Sequence, residues 1–227
     1  MTESKRAAIF DLDGTLIPHT SAEGTFFFHM LKSGNLNFLN ILQMVVAIWS
    51  ARGNLHDMLR GNKRYLRHKS VEKMDQVARR YFEPRIDDII FPEMQQIIEK
   101  HKSRGDHLIL LTGTLDVIAR CFVRHLGFSG FKATTLERKD GYYTGKVSGI
   151  LPYGMGKLEV LRELKDRFGF NRDSSWLYAN IFSDRYVLNA VEHPVAVNPD
   201  SKLREYARRL KWEIIQPSGP RKKFPFR

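Results

Sequence analysis

Residues 7–10 (Ala-Ala-Ile-Phe) form a short, wholly apolar segment that leads directly into Asp11, Asp13 and Gly14. Continuous apolar character is typical of a β-strand buried on both faces, because a strand with one face in water alternates apolar and polar residues. Strands of this kind occur mainly in parallel sheets that carry helices on each side. The segment therefore predicts the first strand of an α/β sheet.

Strand and helix patterns alternate along the second half of the chain. Residues 107–111 predict a second strand that ends at Thr112-Gly113, and apolar residues at helical spacing follow it up to Leu126. The alternation continues with strands at 176–179 and 195–197, a helix at 153–168 and a hairpin centred on Asp140-Gly141. Such alternation predicts a Rossmann-like, doubly wound parallel sheet.

The segment from residue 17 to residue 105 shows helical patterns only. Helices are predicted at 26–31, 36–49, 56–66, 71–82 and 92–101. We therefore expect an α/β core formed by residues 1–16 and 106–216, with an all-α cap domain inserted at 17–105.

Length and composition are compatible with this organisation. The chain has 227 residues, enough for one domain and an insert. The single cysteine, Cys121, excludes an internal disulfide and favours a reducing compartment, so we expect a cytoplasmic protein. The longest apolar run, 36–49, is shorter than the ~20 residues that span a bilayer. One expectation is that the helix formed by this run is buried in the cap. The alternative is that the run, together with the basic residues that follow it, binds peripherally to the inner face of an anionic membrane.

The formal net charge is +12, and nine of the 37 Lys and Arg residues lie in 201–227. A basic chain attracts anionic partners, which include phosphorylated small molecules, anionic membranes and nucleic acid. Nucleic acid is not favoured, because no recognition motif accompanies the charge. Residues 217–227 begin with Pro-Ser-Gly-Pro and are expected to form a basic, disordered tail.

Two carboxylates two residues apart follow the first strand. Asp11 and Asp13 are expected in the crevice at the carboxyl ends of the strands, where open α/β sheets bind ligands. Burying two like charges is unfavourable unless a cation compensates them, and a divalent metal ion with oxygen ligands does so. Two further segments carry anion-binding chemistry: Thr112-Gly113 after the second strand, and Gly154-Met-Gly-Lys157 at a helix start.

In this order, the segments resemble the motifs of the haloacid dehalogenase superfamily, in its phosphoserine-phosphatase-like branch with a helical cap. The resemblance extends from Ala8 to about Trp212. It implies a phosphatase in which Asp11 is the nucleophile that forms an aspartyl-phosphate. It also implies that Asp13 is the acid/base and that its backbone carbonyl binds Mg²⁺. The residues implied to bind the phosphoryl group are Thr112, Gly113 and Lys157.

The fourth motif departs from the family pattern of Gly-Asp with a second Asp four residues on. This chain has Ala179-Asn180 and then Asp184. The implied metal set is therefore Asp11, Asp13, Asn180 and Asp184, with Asn180 as a direct ligand and Asp184 acting through water. An amide oxygen can ligate Mg²⁺ but carries no charge, so we expect a phosphatase with weakened metal affinity. The alternative is a relative that binds a phosphorylated ligand or an anionic membrane without efficient turnover.

The cap selects the substrate in this superfamily. Its phosphoserine enzymes hold the substrate amino group with a Glu shortly after the first motif. Here Glu23 falls later than that position, which argues against phosphoserine. His19, in the same loop, is expected to be solvated, with contact to substrate as the alternative. A small or lipid phosphomonoester is the expected substrate, a phosphotransferase is a further option, and the oligomeric state is left open.

Overall fold

The computed structural model of the protein describes residues 6–18, 21–36, 38–42 and 63–222. Seven strands form one sheet: β1 (Ala7–Phe10), β2 (His107–Leu115), β3 (Gly130–Lys139), β4 (Tyr142–Ser148), β5 (Trp176–Ala179), β6 (His193–Val197) and β7 (Glu213–Ile215). The helices are α1 (Ala22–Lys32), α2 (Val71–Phe82), α3 (Ile86–Ile89), α4 (Pro92–Ser103), α5 (Asp116–Leu126), α6 (Met155–Phe168), α7 (Arg185–Leu188) and α8 (Ser201–Arg209). Residues 38–42 are also helical.

The strand order is β4-β3-β2-β1-β5-β6-β7, and every pair is parallel except β3 with β4. The chain winds from β1 outward through β2 and β3, then returns to the other side of β1 through β5, β6 and β7. All four residues of β1 are completely buried. This arrangement confirms the predicted doubly wound sheet and puts the reversal of strand order at β1, where ligands bind in such folds.

One predicted strand is longer in the structure, and one strand of the structure was not predicted. The second strand was expected to end at Thr112-Gly113, but β2 continues to Leu115, where it pairs with Thr134 of β3 beyond an irregularity in the register. The hydroxyl of Thr134 donates to the Gly113 carbonyl at 2.6 Å, which ties the extension to its neighbour. The sequence patterns did not predict β7, because it is a three-residue strand at the sheet edge.

Phenylalanine side chains connect α1 of the insert to α2, and α2 to α5. The ring centroids of Phe26 and Phe82 lie 6.0 Å apart, and those of Phe82 and Phe122 lie 5.7 Å apart. Helix α4 falls within the segment 17–105 predicted as cap, yet it packs onto the sheet. There the ring of His101 contacts Phe10 and its Nε2 lies 2.8 Å from the hydroxyl of Tyr178.

The insert was predicted to be helical throughout, but the structure shows that it is not. Just before α2, Ser70 forms an isolated antiparallel bridge with Tyr142 of the β3–β4 hairpin. Beside it, the Tyr143 N–H donates to the Lys69 carbonyl at 3.0 Å. The Val71 N–H donates in turn to the Gly141 carbonyl at 3.0 Å. The hairpin therefore contacts the insert directly. The paired residues are more than 60 positions apart in the chain, so no local sequence pattern predicts the contact. Of the predicted helix at 56–66, residues 64–66 form a single 3₁₀ turn and 56–62 lie outside the described residues.

The chain after β7 lies along α3 and α4. The hydroxyl of Ser218 donates to the Glu93 carboxylate at 2.6 Å, and Lys222 forms an ion pair with Asp88 at 2.7 Å. Residues 217–222, expected to be disordered, thus make specific contacts, while 223–227 lie outside the described residues. Within the described part of the chain, no helix combines the length and apolar character that crossing a bilayer requires.

Candidate active site

The carboxyl ends of three neighbouring strands bring the predicted site residues together. Phe10 of β1 pairs with Leu110 of β2 and with Tyr178 of β5. Asp11, Thr112 and Asn180 follow those positions by one or two residues, so they lie side by side at one edge of the sheet. The Asp11 N–H donates to the Tyr178 carbonyl at 2.9 Å, which fixes the backbone where the first carboxylate begins.

Lys157 connects two of the site carboxylates. Its Nζ lies 2.8 Å from Asp184 Oδ2 and 3.2 Å from Asp11 Oδ1. All three side chains are buried, and Asp184 is completely inaccessible. Burial alone would lower the pKa of Lys157, but Asp11 and Asp184 together raise it above its ordinary value. The lysine therefore remains charged, and the two carboxylates share its single positive charge.

Two glycines place Lys157 at the start of α6. Gly154 has a positive φ of 53°, and a side chain at Gly156 would bring its Cβ within 2.2 Å of the Leu151 carbonyl oxygen. Only glycine allows this approach of the helix start to the preceding loop. The Gly-Met-Gly-Lys segment is thus explained by backbone geometry that directs the lysine into the site.

Asp13 has a different environment from Asp11. Its Oδ1 accepts from the Ala22 N–H at the start of α1 at 2.7 Å, and its Oδ2 accepts from the Thr114 hydroxyl at 2.5 Å. Burial raises the pKa of Asp13 to about 7, and the charges of Asp11 and Glu23 add to the effect, although both hydrogen bonds oppose it. Asp13 can therefore exchange a proton near neutral pH, as an acid/base group must.

Asn180 lies against both aspartates. One end of its amide is 3.3 Å from Asp11 Oδ2 and 3.2 Å from the Asp13 backbone carbonyl. With the amide oxygen at that end, three oxygen atoms converge, and oxygen ligands of an octahedral Mg²⁺ lie about 3 Å apart. The donor set therefore fits a hard divalent cation with one carboxylate, one carbonyl and one neutral amide. Among the described residues, no group of three His, Cys, Asp or Glu side chains offers such a site.

The loop that carries Asn180 and Asp184 is held by a residue that the sequence analysis missed. Asp200 accepts from the Phe182 N–H at 2.9 Å with Oδ2 and from the Leu203 N–H at 2.7 Å with Oδ1. Its own N–H donates to the Asn180 carbonyl at 2.9 Å. The local sequence Asn198-Pro-Asp200 before a helix predicts that Asp200 is a helix N-cap, but it does not predict the contact with the loop of Asn180.

Thr112 and Gly113 lie in β2 at the same edge. Thr112 is buried and its Oγ1 accepts from the Thr114 N–H at 3.1 Å, while the Gly113 carbonyl is bonded to Thr134. Thr114, which the sequence analysis did not single out, is the threonine that contacts Asp13. Helix α5 starts only at Asp116, so the expected helix N-terminus directly after Gly113 lies farther along the chain.

The cap contributes an acidic group near Asp13. Glu23 lies in the first turn of α1. Lys63 Nζ is 2.6 Å from its Oε1 and 2.7 Å from its Oε2. The Tyr65 hydroxyl donates to Oε1 at 2.7 Å. Lys63 and Tyr65 are buried. Burial and Glu23 raise the pKa of Tyr65 well above its ordinary value, so its hydroxyl remains a donor. The sequence pattern indicated Glu23 but neither of its partners, and His19 lies outside the described residues.

Comparisons with known proteins place these residues in a family context. The model of the haloacid dehalogenase-like hydrolases matches residues 8–189. The "Phosphoserine phosphatase SerB1" of Mycobacterium tuberculosis is 29% identical over 92% of this chain and 70% of its own length.

Solved structures share the fold. A Bordetella pertussis protein of unknown function has a TM-score of 0.80 at 22% identity, covering 93% of this chain and 98% of its own. A substrate-bound phosphoserine phosphatase has a TM-score of 0.63 at 20% identity, covering 94% of this chain and 93% of its own. At these identities the structural likeness concerns the fold alone.

Proposed function

The chain belongs to the haloacid dehalogenase-like hydrolase family, and from that premise we propose that it is a Mg²⁺-dependent phosphatase that acts through an aspartyl-phosphate. One observation carries the proposal: two aspartates, the buried Asp11 and the partly buried Asp13, lie two residues apart and have partners of different kinds. Asp11 is ion-paired with Lys157, whereas Asp13 is held by N–H and O–H donors and its pKa is raised to about 7. An ion-paired carboxylate suits a nucleophile, and a carboxyl group titrating near neutral pH suits proton transfer.

The reaction then divides into two steps. The Asp11 carboxylate attacks phosphorus, the bond from phosphorus to the ester oxygen breaks, and Asp13 protonates the departing alcohol. Asp13, now a carboxylate, removes a proton from water as the water oxygen attacks phosphorus. The bond from phosphorus to the Asp11 oxygen breaks, which releases inorganic phosphate and regenerates the free Asp11 carboxylate. Each proton taken in one step is returned in the other.

The other residues orient and neutralise the phosphoryl group. Lys157 supplies positive charge beside Asp11, and Asp184 holds the lysine in place. Thr112 and Gly113 line the neighbouring strand end and are proposed to face the phosphoryl oxygens. The residues that would hold Mg²⁺ are Asp11, the Asp13 carbonyl and Asn180, with Asp184 nearby. When bound, the cation supplies positive charge that lets a carboxylate approach a phosphate dianion.

A trapping experiment tests the covalent step. With 4-nitrophenyl phosphate, whose leaving group needs little protonation, Asp13→Asn is expected to form the phosphoenzyme and hydrolyse it slowly. Intact-protein mass spectrometry after acid quench should then show the addition of one phosphoryl group. Asp11→Asn should show none. A wild-type enzyme that hydrolyses the substrate while Asp13→Asn and Asp11→Asn gain no mass would contradict the aspartyl-phosphate route.

We propose a small phosphomonoester as the substrate, without a requirement for an amino group. Both oxygens of Glu23 already accept hydrogen bonds from Lys63 and Tyr65, so the carboxylate is compensated within the protein. Phosphoserine and glycerol phosphate should therefore be hydrolysed with kcat/KM values within about tenfold of each other. A preference for phosphoserine beyond about a hundredfold would show that Glu23 exchanges its lysine for the substrate ammonium.

A lipid phosphomonoester is the second candidate, and exposed apolar side chains favour it. Phe38 and Leu39 are 76% and 61% exposed, and Leu42 is 43% exposed, all on the short helical stretch 38–42. The apolar run continues in sequence beyond residue 42. Flotation with vesicles that contain phosphatidylserine tests this candidate. Binding that falls in Phe38→Ser supports it, and recovery of all protein in the soluble fraction at low salt opposes it.

Asn180 favours a third candidate, binding of a phosphorylated ligand with little turnover. The site would then bind vanadate or inorganic phosphate saturably, while added Mg²⁺ would not stimulate hydrolysis of any substrate in a phosphomonoester panel. Mg²⁺-stimulated release of phosphate would reject this alternative.

A further inference from the structure

The side-chain amide of Asn180 can face the two aspartates with either of its ends. With nitrogen toward them, it donates two hydrogen bonds, to Asp11 Oδ2 at 3.3 Å and to the Asp13 carbonyl at 3.2 Å. With oxygen toward them, three acceptor oxygens face each other, and the hydrogen bond from the Thr15 hydroxyl to the amide oxygen is long, at 3.5 Å. Asn180 is buried, so water does not easily compensate for the poorer orientation.

The preferred end depends on whether a cation is present. Without one, the nitrogen end is favoured, because it satisfies two acceptors and avoids repulsion between oxygen lone pairs. With a hard divalent cation among these atoms, the oxygen end is favoured, because an oxygen ligates the cation and an N–H would point at it. Exchange between the two states needs only rotation about the bond to the amide group.

We propose that Asn180 is a two-position amide, which takes the place of the metal ion when the site is empty and ligates it when the site is filled. The inference rests on the cation site of the proposed function. In the empty state the amide holds the Asp11 carboxylate and the Asp13 backbone together by hydrogen bonds. The catalytic loop thus keeps its geometry without metal, and binding a cation must first break those bonds.

The proposal distinguishes Asn180 from an aspartate at the same position. An aspartate would be a stronger ligand, but in the empty site its charge would face Asp11 at close range with no hydrogen to donate. Asn180→Asp should therefore have two opposite effects. It should destabilise the Mg²⁺-free protein and increase the stabilisation that Mg²⁺ produces. At a residue with only a packing role, the buried charge would also destabilise the protein, but Mg²⁺ would not produce greater stabilisation than in wild type.

The test compares thermal unfolding of the whole chain with and without Mg²⁺ and in the absence of substrate. Asn180→Asp should lower the Mg²⁺-free Tm by about 2–4 °C or more. It should also bind Mg²⁺ at least about tenfold more tightly than wild type in a Tm titration. Asn171→Asp is the matched control, because Asn171 precedes β5 and its oxygen accepts from the Asp173 N–H, a role that a carboxylate retains. The control should respond to Mg²⁺ as the wild type does.

Two further measurements keep the test decisive. The Asn180 side-chain NH₂ signal, identified by its loss in Asn180→Asp, should be protected from solvent exchange in the Mg²⁺-free protein. Asn180→Ala removes both ends of the amide, so it should lower the Mg²⁺-free Tm and weaken the response to Mg²⁺. This variant serves if Asn180→Asp does not fold.

Three results would overturn the inference: an Asn180→Asp protein as stable as wild type without Mg²⁺, a response to Mg²⁺ no larger than that of wild type, or rapid exchange of the Asn180 amide. None of these readouts requires turnover. Failure of the phosphatase assay alone rejects the proposed function, and failure of the stability pattern alone rejects the two-position amide.

Discussion

Buried ionic networks lie at both ends of the central strands, and they are built differently. At the carboxyl end, Asp11 and Asp184 share Lys157, while Asp13 is bonded by N–H and O–H donors in the contacts that the structure describes. Carboxylates outnumber the cation there. Such an excess of like charge is unfavourable by itself, and it is stable only if a proton, a metal ion or a ligand compensates it.

At the amino end, the described residues of the network contain one carboxylate, Asp106, with donors at both of its oxygens. Arg6 Nε donates to Asp106 Oδ1 at 2.8 Å, and His101 Nδ1 lies 2.8 Å from Asp106 Oδ2. His101 Nε2 in turn lies 2.8 Å from the Tyr178 hydroxyl. Both oxygens of this carboxylate are satisfied within the protein, so the network needs no ligand. The comparison teaches that excess charge, and not burial of charge, distinguishes a candidate active site from a structural network in this fold.

The largest expected effect separates the two ends by activity. Asp11→Asn should lower the hydrolysis of 4-nitrophenyl phosphate by roughly 10⁴-fold, because an amide cannot act as the nucleophile. Asp106→Asn, the same change at the amino end, should lower it by less than about tenfold. Steady-state rates on folded variants, verified by circular dichroism, provide the measurement. Equal losses in the two variants would show that the networks are not functionally distinct.

The second effect concerns stability at the carboxyl end. Lys157→Met leaves the buried charges of Asp11 and Asp184 without their cation, and it should lower the free energy of unfolding by about 3–5 kcal/mol. Lys165→Met, on the same helix but half-buried, is the control and should change it by less than about 1 kcal/mol. Urea denaturation of both variants tests this. A loss in Lys157→Met as small as in its control would mean that the carboxylates are compensated in another way.

A smaller effect is expected at the amino end. Asp106→Asn removes the carboxylate charge. It leaves no unpaired charge in the interior, because the Arg6 side chain is 44% exposed. The free energy of unfolding should therefore fall by about 1–3 kcal/mol, the cost of weakened buried hydrogen bonds. The same urea experiment measures it. A loss larger than that of Lys157→Met would reverse the proposed order of the two networks.

The smallest effect is a pH dependence. Burial lowers the pKa of His101, with Arg104 and Lys100 acting in the same direction and Asp106 acting against them. The unfolded chain therefore binds this proton more readily than the folded protein. The contribution of His101 to stability is present above the ordinary histidine pKa of about 6.5 and is lost as the pH falls below it.

His101→Gln should remove that contribution. The free energy of unfolding, measured by urea denaturation between about pH 5 and pH 8, should fall less steeply with decreasing pH in the variant than in wild type. Equal slopes would indicate that His101 has the same proton affinity in both states.

The sequence predicted the sheet better than the insert. Apolar runs bounded by Gly, Pro and Asp mark buried strands reliably, and the Asp140-Gly141 turn, with both residues at positive φ, marks the hairpin. The bridge between Ser70 and the hairpin was not predicted. It lies between the predicted helices 56–66 and 71–82, and a pairing with a strand that is distant in sequence produces no local periodicity. The assignment of α4 to the cap had a similar cause, since a helical pattern does not tell which surface the helix covers.

The candidate site was predictable in its members but not in their connections. The strand that ends at Asp11, the Asp13-Gly14 turn and the Gly-Met-Gly-Lys157 helix start are local patterns, because strand period, turn chemistry and glycine geometry act over a few residues. These local patterns are sufficient to predict a parallel sheet with two aspartates at one crevice and a lysine directed toward it.

The pairing of these groups follows from contacts between residues that are distant in the chain. Thr114 meets Asp13 from 101 residues away, Lys157 joins Asp11 to Asp184, and Asn180 lies against both aspartates. The raised pKa of Asp13 arises from burial by elements that are distant in the chain. Proton affinity and charge compensation depend on distance and solvent exclusion in three dimensions, and a linear pattern contains neither.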